Sequence, residues 1–157
     1  MLLFAFSMGK VEYNATFQYD GYELLCQDTF DDEYTIMINA GYISLNYSIA
    51  QNCIVGMSGV CPKSEFLRCS FDLLPFDLAQ TGKVYLLDVE SLTAGQGCQL
   101  PYRLRPMLDE KQGVLSFQYH RLANKALTHI ACSNSFIISM NDGKIAAVWL
   151  KLLRDSI

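Results

Sequence analysis

The feature that most constrains this chain is a tight turn between two β-prone runs, and such turns recur along the sequence. In the first, Asp20-Gly21 separates residues 17–19 from residues 22–24. Asp-Gly between alternating side chains is the strongest short-range signal of a β-hairpin. Turns at residues 39–41, 109–113 and 141–143 interrupt similar runs, and each contains a glycine. This pattern predicts four hairpins and therefore antiparallel pairing.

Alternation of apolar and polar side chains supports the same interpretation. In residues 115–120 every second side chain is apolar: Leu115, Phe117 and Tyr119. A period of two places such side chains on one face of a strand. Single β-prone runs at residues 53–60, 67–74 and 83–92 bring the total to about ten strands at short spacing. We therefore predict an all-β domain built as an antiparallel sandwich or barrel.

Two segments compete for a helical assignment. Residues 144–153 contain the Ala, Leu and Lys that favour a helix, but the Asn-Asp-Gly turn before them favours a strand. Residues 73–80 are the other candidate, in which Pro75 could only occupy the first turn. We expect a strand over 144–153 and at most one or two short helices in the whole domain.

Length and composition fit a single soluble domain that spans residues 1–157. Hydrophobic residues make up 51% of the chain and charged residues 18%, which is unlike a disordered chain. No stretch approaches the ~20 apolar residues of a transmembrane helix. The apolar residues 1–7 lack a preceding basic residue, so no signal peptide is expected and the predicted compartment is the cytoplasm. Residues 1–7 are predicted to be either disordered or upstream of a true start at Met8.

We expect all six cysteines to be reduced thiols, as suits the cytoplasm. Free cysteine is among the most buried residue types, so these thiols are predicted to lie in the core. Cys53, Cys61 and Cys69 are spaced eight residues apart, so they contain no C-x₂₋₄-C pair of the kind that zinc sites use. The acidic residues between 28 and 33 lack the pattern of a calcium loop. We predict neither a metal nor any other cofactor.

No catalytic set assembles from the sequence. Gly56-Met57-Ser58-Gly59-Val60 has valine where a nucleophile elbow requires its final glycine. His120 and His129 are the two histidines that could serve a cysteine nucleophile as base, and only the fold could bring them to a thiol. Phosphate-binding glycine motifs are absent, and a pI of about 5.0 argues against nucleic acid as a partner.

Charge is distributed unevenly along the chain. Residues 1–33 hold one lysine and seven acidic residues, whereas residues 101–157 hold eight basic and four acidic residues. Arg103 and Arg105, near Tyr102, could grip a carboxylate but are expected on one strand face in a rim salt bridge. Tyrosines are interleaved with the acids of the first third, and tyrosine is enriched at protein interfaces. The predicted partner-binding residues are therefore Tyr22, Asp28, Asp31, Asp32, Glu33 and Tyr34.

Our leading interpretation is a non-enzymatic interaction module whose acidic, tyrosine-bearing surface meets a basic protein. One concrete form is a small cytoplasmic inhibitor of the immunity type, which covers the basic active site of a toxin. Two alternatives stay open: a β-barrel that holds a small apolar ligand and, with the least support, a thiol-dependent enzyme. Neither nucleic acid nor a membrane is expected as a partner, and a homodimer is left open.

Overall fold

The computed structural model describes residues 2–11, 14–28, 35–87, 97–122 and 125–154, and within them the chain is mostly β. The strands are β1 (Phe4–Met8), β2 (Ala15–Tyr19), β3 (Glu23–Asp28), β4 (Thr35–Asn39), β5 (Ile43–Ser48), β6 (Cys53–Val60), β7 (Leu67–Arg68), β8 (Gln80–Leu86), β9 (Cys98–Gln99), β10 (Arg105–Asp109), β11 (Val114–Gln118), β12 (Thr128–Ser133), β13 (Phe136–Asn141) and β14 (Lys144–Lys151). Single-turn 3₁₀ helices lie at Lys63–Glu65 and Pro75–Asp77. No helix in the described ranges is long and apolar enough to cross a membrane.

The strands form two mixed sheets that are not closed into a barrel. One sheet has eight strands in the order β1-β8-β12-β13-β14-β11-β10-β7, and the other has six in the order β2-β3-β6-β5-β4-β9. The prediction of purely antiparallel pairing is wrong, because β7–β10, β8–β12 and β4–β9 pair in parallel. The predicted number of about ten strands is too low, because β1, β9 and β12 lie outside the predicted runs.

All four predicted hairpins are confirmed as the antiparallel pairs β2–β3, β4–β5, β10–β11 and β13–β14. In the last of these turns Gly143 has a φ of +75°, a left-handed conformation that glycine adopts without steric cost. The strand predicted over 144–153 is also confirmed as Lys144–Lys151. Its interior is buried on both faces, which explains why the segment is apolar enough to resemble a helix.

The single β-prone runs have different outcomes. Residues 53–60 form β6 as predicted. Of residues 83–92, β8 contains those up to Leu86, and residues 88–92 lie outside the described part of the chain. Of residues 67–74 only the first two are strand, because the chain then leaves the sheet edge. The helix candidate at 73–80 is limited to the 3₁₀ turn that Pro75 opens.

Besides the two-residue strand β9, two longer strands lie where the sequence predicts none. Phe4–Met8 forms β1 and pairs with β8, although disorder or an upstream position is predicted for residues 1–7. Phe4 is 2% exposed, and this burial joins the segment to the core. Thr128–Ser133 forms β12, which lies between β8 and β13.

The two sheets share one hydrophobic core. Phe17 of β2 and Phe136 of β13 stack across it, with their ring centroids 5.6 Å apart. Further fully buried aromatic side chains come from both sheets: Tyr19 and Tyr47 from the six-stranded sheet, and Phe4 and Phe117 from the eight-stranded one. Side chains thus fill the space between the sheets.

A second, smaller core lies on the outer face of the eight-stranded sheet. Residues 69–79, which we call the strap, connect β7 at one edge of the sheet to β8 near the other. Phe71 of the strap packs edge-on against Trp149 of β14, with ring centroids 5.0 Å apart. Three further strap residues join this cluster: Leu74, Phe76 and Ala79. The strap therefore covers the second face of β14.

Candidate functional site

Several turns and loops meet at one end of the two sheets. The segment after β6 is tied to the β2–β3 turn by Cys61 N–H, which donates to the Tyr22 carbonyl at 2.8 Å. The loop before β10 is tied to the β4–β5 turn by Leu104 N–H, which donates to the Ala40 carbonyl at 3.4 Å. We call the exposed side chains at this end the turn face: Tyr22, Tyr42, Glu65, Leu67, Arg103, Arg105 and His120.

Tyr42, Arg103 and Glu65 form the centre of the turn face. The Arg103 guanidinium lies 5.6 Å from the centroid of the Tyr42 ring, within the range of a cation–π contact. The Tyr42 hydroxyl bonds to the Glu65 carboxylate, which raises the pKa of Tyr42. Gly41, with a φ of +101°, admits the arginine, because a Cβ at this position would lie 3.1 Å from Arg103 Cγ. One aromatic ring is thus held between a cation and an anion.

A cleft of about 440 Å³ opens beside this cluster. Its lining combines an apolar wall with polar and charged groups: Leu67, Pro106 and Met107, with Glu65, Arg105, Gln118 and His120. Arg105 and Gln118 are cross-strand partners in β10 and β11, so the backbone sets their spacing. Behind the cleft, Tyr119 packs against His120 and stacks on Tyr102, with the two tyrosine centroids 4.3 Å apart. The cleft can bind a ligand whose apolar part contacts this wall and whose adjacent anionic group pairs with Arg105.

Of the six predicted partner-binding residues the structure describes two, Tyr22 and Asp28, and it places these two apart. Tyr22 belongs to the turn face and is 60% exposed. Asp28 is the last residue of β3, which begins at Glu23, so at ~3.3 Å per residue Tyr22 and Asp28 lie roughly 20 Å apart. The remaining four lie outside the described residues: Asp31, Asp32, Glu33 and Tyr34. Tyr22 and Asp28 therefore belong to opposite ends of a strand, not to one compact patch.

No pattern in the sequence singles out Tyr42, Glu65 or Leu67 as site residues. Arg103 and Arg105 are predicted to lie on one strand face in a salt bridge. In the structure Arg103 precedes β10 and Arg105 opens it, and neither forms an ion pair with another described residue. The Arg103–Tyr42 contact joins distant parts of the chain, so no local pattern could reveal it.

Four of the six thiols have pKa values shifted away from the range that a nucleophilic cysteine needs. Burial raises the pKa of Cys61 to about 11, and it also raises the pKa values of Cys69, Cys98 and Cys132. A nucleophilic cysteine requires a lowered pKa. These thiols lend no support to the thiol-enzyme alternative. Within the described residues, no group of three or more His, Cys, Asp or Glu side chains could hold a metal ion.

A serine–histidine pair lies on the outer face of the eight-stranded sheet. His129 Nδ1 is 2.6 Å from Ser139 Oγ, and Trp149 Nε1 donates to the same oxygen at 3.0 Å. In the neutral imidazole that is protonated at Nε2, Nδ1 accepts the Ser139 hydroxyl proton while the Ser139 oxygen accepts the indole N–H. Burial lowers the pKa of His129, in agreement with this assignment. Ser139 is fully buried, so its oxygen does not face a substrate.

Comparison with protein-family models, with curated proteins and with solved structures finds no match to this chain. Function is therefore inferred from the side chains of the turn face. These include exposed tyrosine and arginine, the residue types that are enriched among interface anchors. The contacts among Tyr42, Arg103 and Glu65 hold these three side chains in place.

Proposed function

We propose that this protein is a non-enzymatic interaction module, a sandwich-like domain that binds another protein through the turn face. The Tyr42–Arg103–Glu65 cluster carries the proposal. Tyrosine and arginine dominate binding hot spots, because they offer a large contact area together with polar groups. The cation–π contact and the hydroxyl–carboxylate bond already restrain Tyr42. A restrained side chain loses less conformational entropy on binding, which favours affinity.

Tyr22 and Leu67 extend this surface as apolar anchors. They are 60% and 63% exposed, and they accompany the charged cluster at the same end of the molecule. Scattered exposed apolar residues are ordinary on protein surfaces. An arrangement of apolar anchors beside arginine and a polar rim is typical of a recognition surface.

The acidic segment contributes to binding in a different way. We propose that Asp28, Asp31, Asp32 and Glu33, with Tyr34, attract a partner that has a basic surface. Electrostatic steering acts on the approach of the partner rather than on its final contacts, so these acids need not lie beside Tyr22. In its most concrete form, the module is an immunity-type inhibitor that covers a basic active site in the cytoplasm.

Binding kinetics of surface variants test this proposal. The full chain serves as bait, the captured protein is identified, and its association and dissociation rates are measured by surface plasmon resonance at several salt concentrations. Tyr42→Ala and Arg103→Ala should each weaken binding by about thirtyfold, mainly through faster dissociation.

The triple variant Asp31→Lys, Asp32→Lys, Glu33→Lys should slow association and flatten its salt dependence.

The matched control is Leu78→Ala, which removes an exposed leucine from the strap. This variant should bind as the wild type does. Wild-type affinity of both Tyr42→Ala and Arg103→Ala would show that the turn face is not the contact surface. An unchanged association rate in the triple variant would remove the steering role of the acids.

Small-ligand binding is a second candidate function, which the cleft beside Arg105 favours. An enclosed barrel site is not available, because the two sheets do not close. The cleft volume of about 440 Å³ falls within the range of ~300–1,000 Å³ of small-molecule sites. A ligand with an apolar body and a carboxylate would match Leu67, Met107 and Arg105.

Native mass spectrometry of the purified protein, beside its denatured mass, tests this second candidate. A non-covalent addition of roughly a few hundred daltons that is absent from Arg105→Ala would support ligand binding in the cleft. A bare chain mass, or an addition that Arg105→Ala retains, would count against this site and favour the protein partner.

A further inference from the structure

Two side chains of opposite charge face the cleft beside β10 without neutralising each other. Arg105 and Glu65 both line this cleft, and both are exposed. The ion pairs among the described residues join Lys63 and Arg68 to Glu110 and include neither of them. Every residue of the lining belongs to the described part of the chain. The cleft therefore offers a ligand one cation and one anion that have no ion-pair partner among these residues.

The backbone of the sheet fixes the cationic side of the cleft. Arg105 of β10 lies opposite Gln118 of β11, and Met107 lies opposite Ser116. Opposite residues and alternate residues share a face of a sheet, so all four side chains lie on one face. Gln118 Nε2 donates to the Ser116 hydroxyl at 3.0 Å, and this bond leaves the Gln118 amide oxygen as an acceptor. A ligand beside Arg105 can therefore donate a hydrogen bond to Gln118.

The core fixes the anionic side of the cleft. Phe66 is buried, and its ring packs edge-on against Tyr19 and Phe117, with centroid distances of 5.3 Å and 6.0 Å. The residues on either side of Phe66, Glu65 and Leu67, are exposed. Burial of the one ring thus holds the two neighbouring side chains at the surface.

The apolar wall connects the two charges. Leu67 lies opposite Met107 in the parallel pair of β7 and β10, and it is two residues from Glu65, just as Met107 is two residues from Arg105. Both charges therefore lie at the same end of this apolar pair. The Glu65 carboxylate accepts the Tyr42 hydroxyl, but an ionised carboxylate has about four acceptor positions. Glu65 can therefore bind a donor group of a ligand as well.

We propose that the cleft binds a free α-amino acid with an uncharged, apolar side chain. The carboxylate of the ligand pairs with Arg105, whose planar guanidinium matches a carboxylate in a two-point contact. Its ammonium group donates to the Glu65 carboxylate and to the Gln118 amide oxygen. Its side chain lies on Leu67 and Met107, where it is removed from water. This ligand class is a narrower form of the small-ligand function proposed above and rests on it.

Charge complementarity favours an amino acid over a ligand that has only a carboxylate. A carboxylate that pairs with Arg105 also approaches Glu65, and the repulsion between like charges weakens its binding. The ammonium group of an amino acid lies on the carbon next to the carboxylate and replaces this repulsion with attraction. A charged side chain would lose hydration against Leu67 and Met107 without gaining a partner. An apolar side chain is therefore favoured.

Isothermal titration calorimetry on the wild-type full chain tests the ligand class without any substitution. L-leucine is compared with two analogues that each lack one charge: N-acetyl-L-leucine has no ammonium group, and L-leucinamide has no carboxylate. We expect L-leucine to bind at least about tenfold more tightly than either analogue, because each analogue leaves one charged side chain of the cleft without its counterpart. L-aspartate, whose side chain is charged, should bind more weakly than L-leucine.

Conservative variants test whether the ligand occupies the cleft. Arg105→Gln and Glu65→Gln should each lower the affinity for L-leucine by about tenfold or more. Glu65→Gln keeps an acceptor for the Tyr42 hydroxyl, and it should not lower the affinity for N-acetyl-L-leucine, which has no ammonium group. The matched control is Arg68→Gln. Arg68 follows Leu67 on β7, so its side chain belongs to the opposite face, and this variant should bind L-leucine as the wild type does.

The possible outcomes separate the ligand class from the small-ligand function. Tighter binding of N-acetyl-L-leucine than of L-leucine, lost in Arg105→Gln, would reject an amino acid but leave a carboxylate site in the cleft. L-leucine binding that Arg105→Gln retains in full would overturn the inference, because the ligand would then lie elsewhere. If neither L-leucine nor its analogues bind at millimolar concentrations, the inference and the small-ligand function both fail.

Discussion

At the residue scale, the network around Ser139 couples stability to the protonation of His129. The Ser139 hydroxyl donates to Nδ1 of the imidazole, and the Ser139 oxygen accepts the indole N–H of Trp149. A second proton on the ring would place a positive charge in a partly buried position, where it loses hydration. The folded state therefore favours the neutral ring, as the lowered pKa of His129 indicates.

We expect the free energy of unfolding to decrease as the pH falls below about 6.5, the ordinary pKa of histidine in an unfolded chain. Because the pKa of His129 is lowered by folding, the unfolded chain takes up the proton first. The contribution of His129 is complete above the unfolded pKa and is lost as the pH falls through the folded pKa. Urea unfolding at a series of pH values measures this loss.

His129→Gln should flatten this pH dependence in the same window, whereas His120→Gln, at an exposed histidine, should leave it unchanged. A His129→Gln variant with the wild-type pH profile would show that another group is responsible.

At the element scale, the strap is held by one buried carboxylate. Asp109 of β10 is 1% exposed, and it accepts hydrogen bonds from Phe71 N–H at 2.9 Å and from the Gln112 side chain at 2.6 Å. Burial by itself would raise the pKa of Asp109, but these donors outweigh burial, and the pKa is lowered. The carboxylate is therefore charged at neutral pH and fixes the first turn of the strap to the sheet.

Asp109→Ala should release the strap and lower the free energy of unfolding by about 1–3 kcal/mol, because Phe71 N–H loses its partner. Trp149 is the one tryptophan of the chain and packs against Phe71, so its fluorescence reports strap release directly. We expect emission at longer wavelength and faster amide exchange in residues 69–79. Asp77→Ala, at an exposed strap residue, should change neither. Wild-type emission and stability in Asp109→Ala would assign the anchoring to other contacts.

At the scale of the whole molecule, the shared core controls how the thiols react. Cys61 and Cys132 are fully buried in it, and burial raises their pKa values. The thiolate is the reactive form, so both thiols should be alkylated slowly by iodoacetamide in the native protein and rapidly in urea. Peptide mapping by mass spectrometry follows each cysteine separately. Rapid native alkylation of Cys61 would contradict this expectation and would favour the thiol-dependent enzyme.

The hairpins could be predicted from the sequence because a turn is a local property. Asp20-Gly21 and Asn141-Asp142-Gly143 specify their turns through backbone preferences of adjacent residues, and β2–β3 and β13–β14 follow from them. The strand at Lys144–Lys151 follows from the second turn in the same way. The exposed position of Tyr22, next to the first turn, belongs to this predictable part of the molecule.

The sequence by itself thus determined where strands turn back, whereas the tertiary structure decided which strands become neighbours and which loops meet. The parallel pairs of β7, β8 and β9 depend on where the chain re-enters a sheet. The strap alone explains why both faces of β14 are apolar. The Tyr42–Arg103 contact arises because the β4–β5 turn and the loop before β10 are brought to one end of the sheets. Period-two patterns assign side chains to a face but carry no information about the neighbouring strand, because strand order is set by long-range packing of the core.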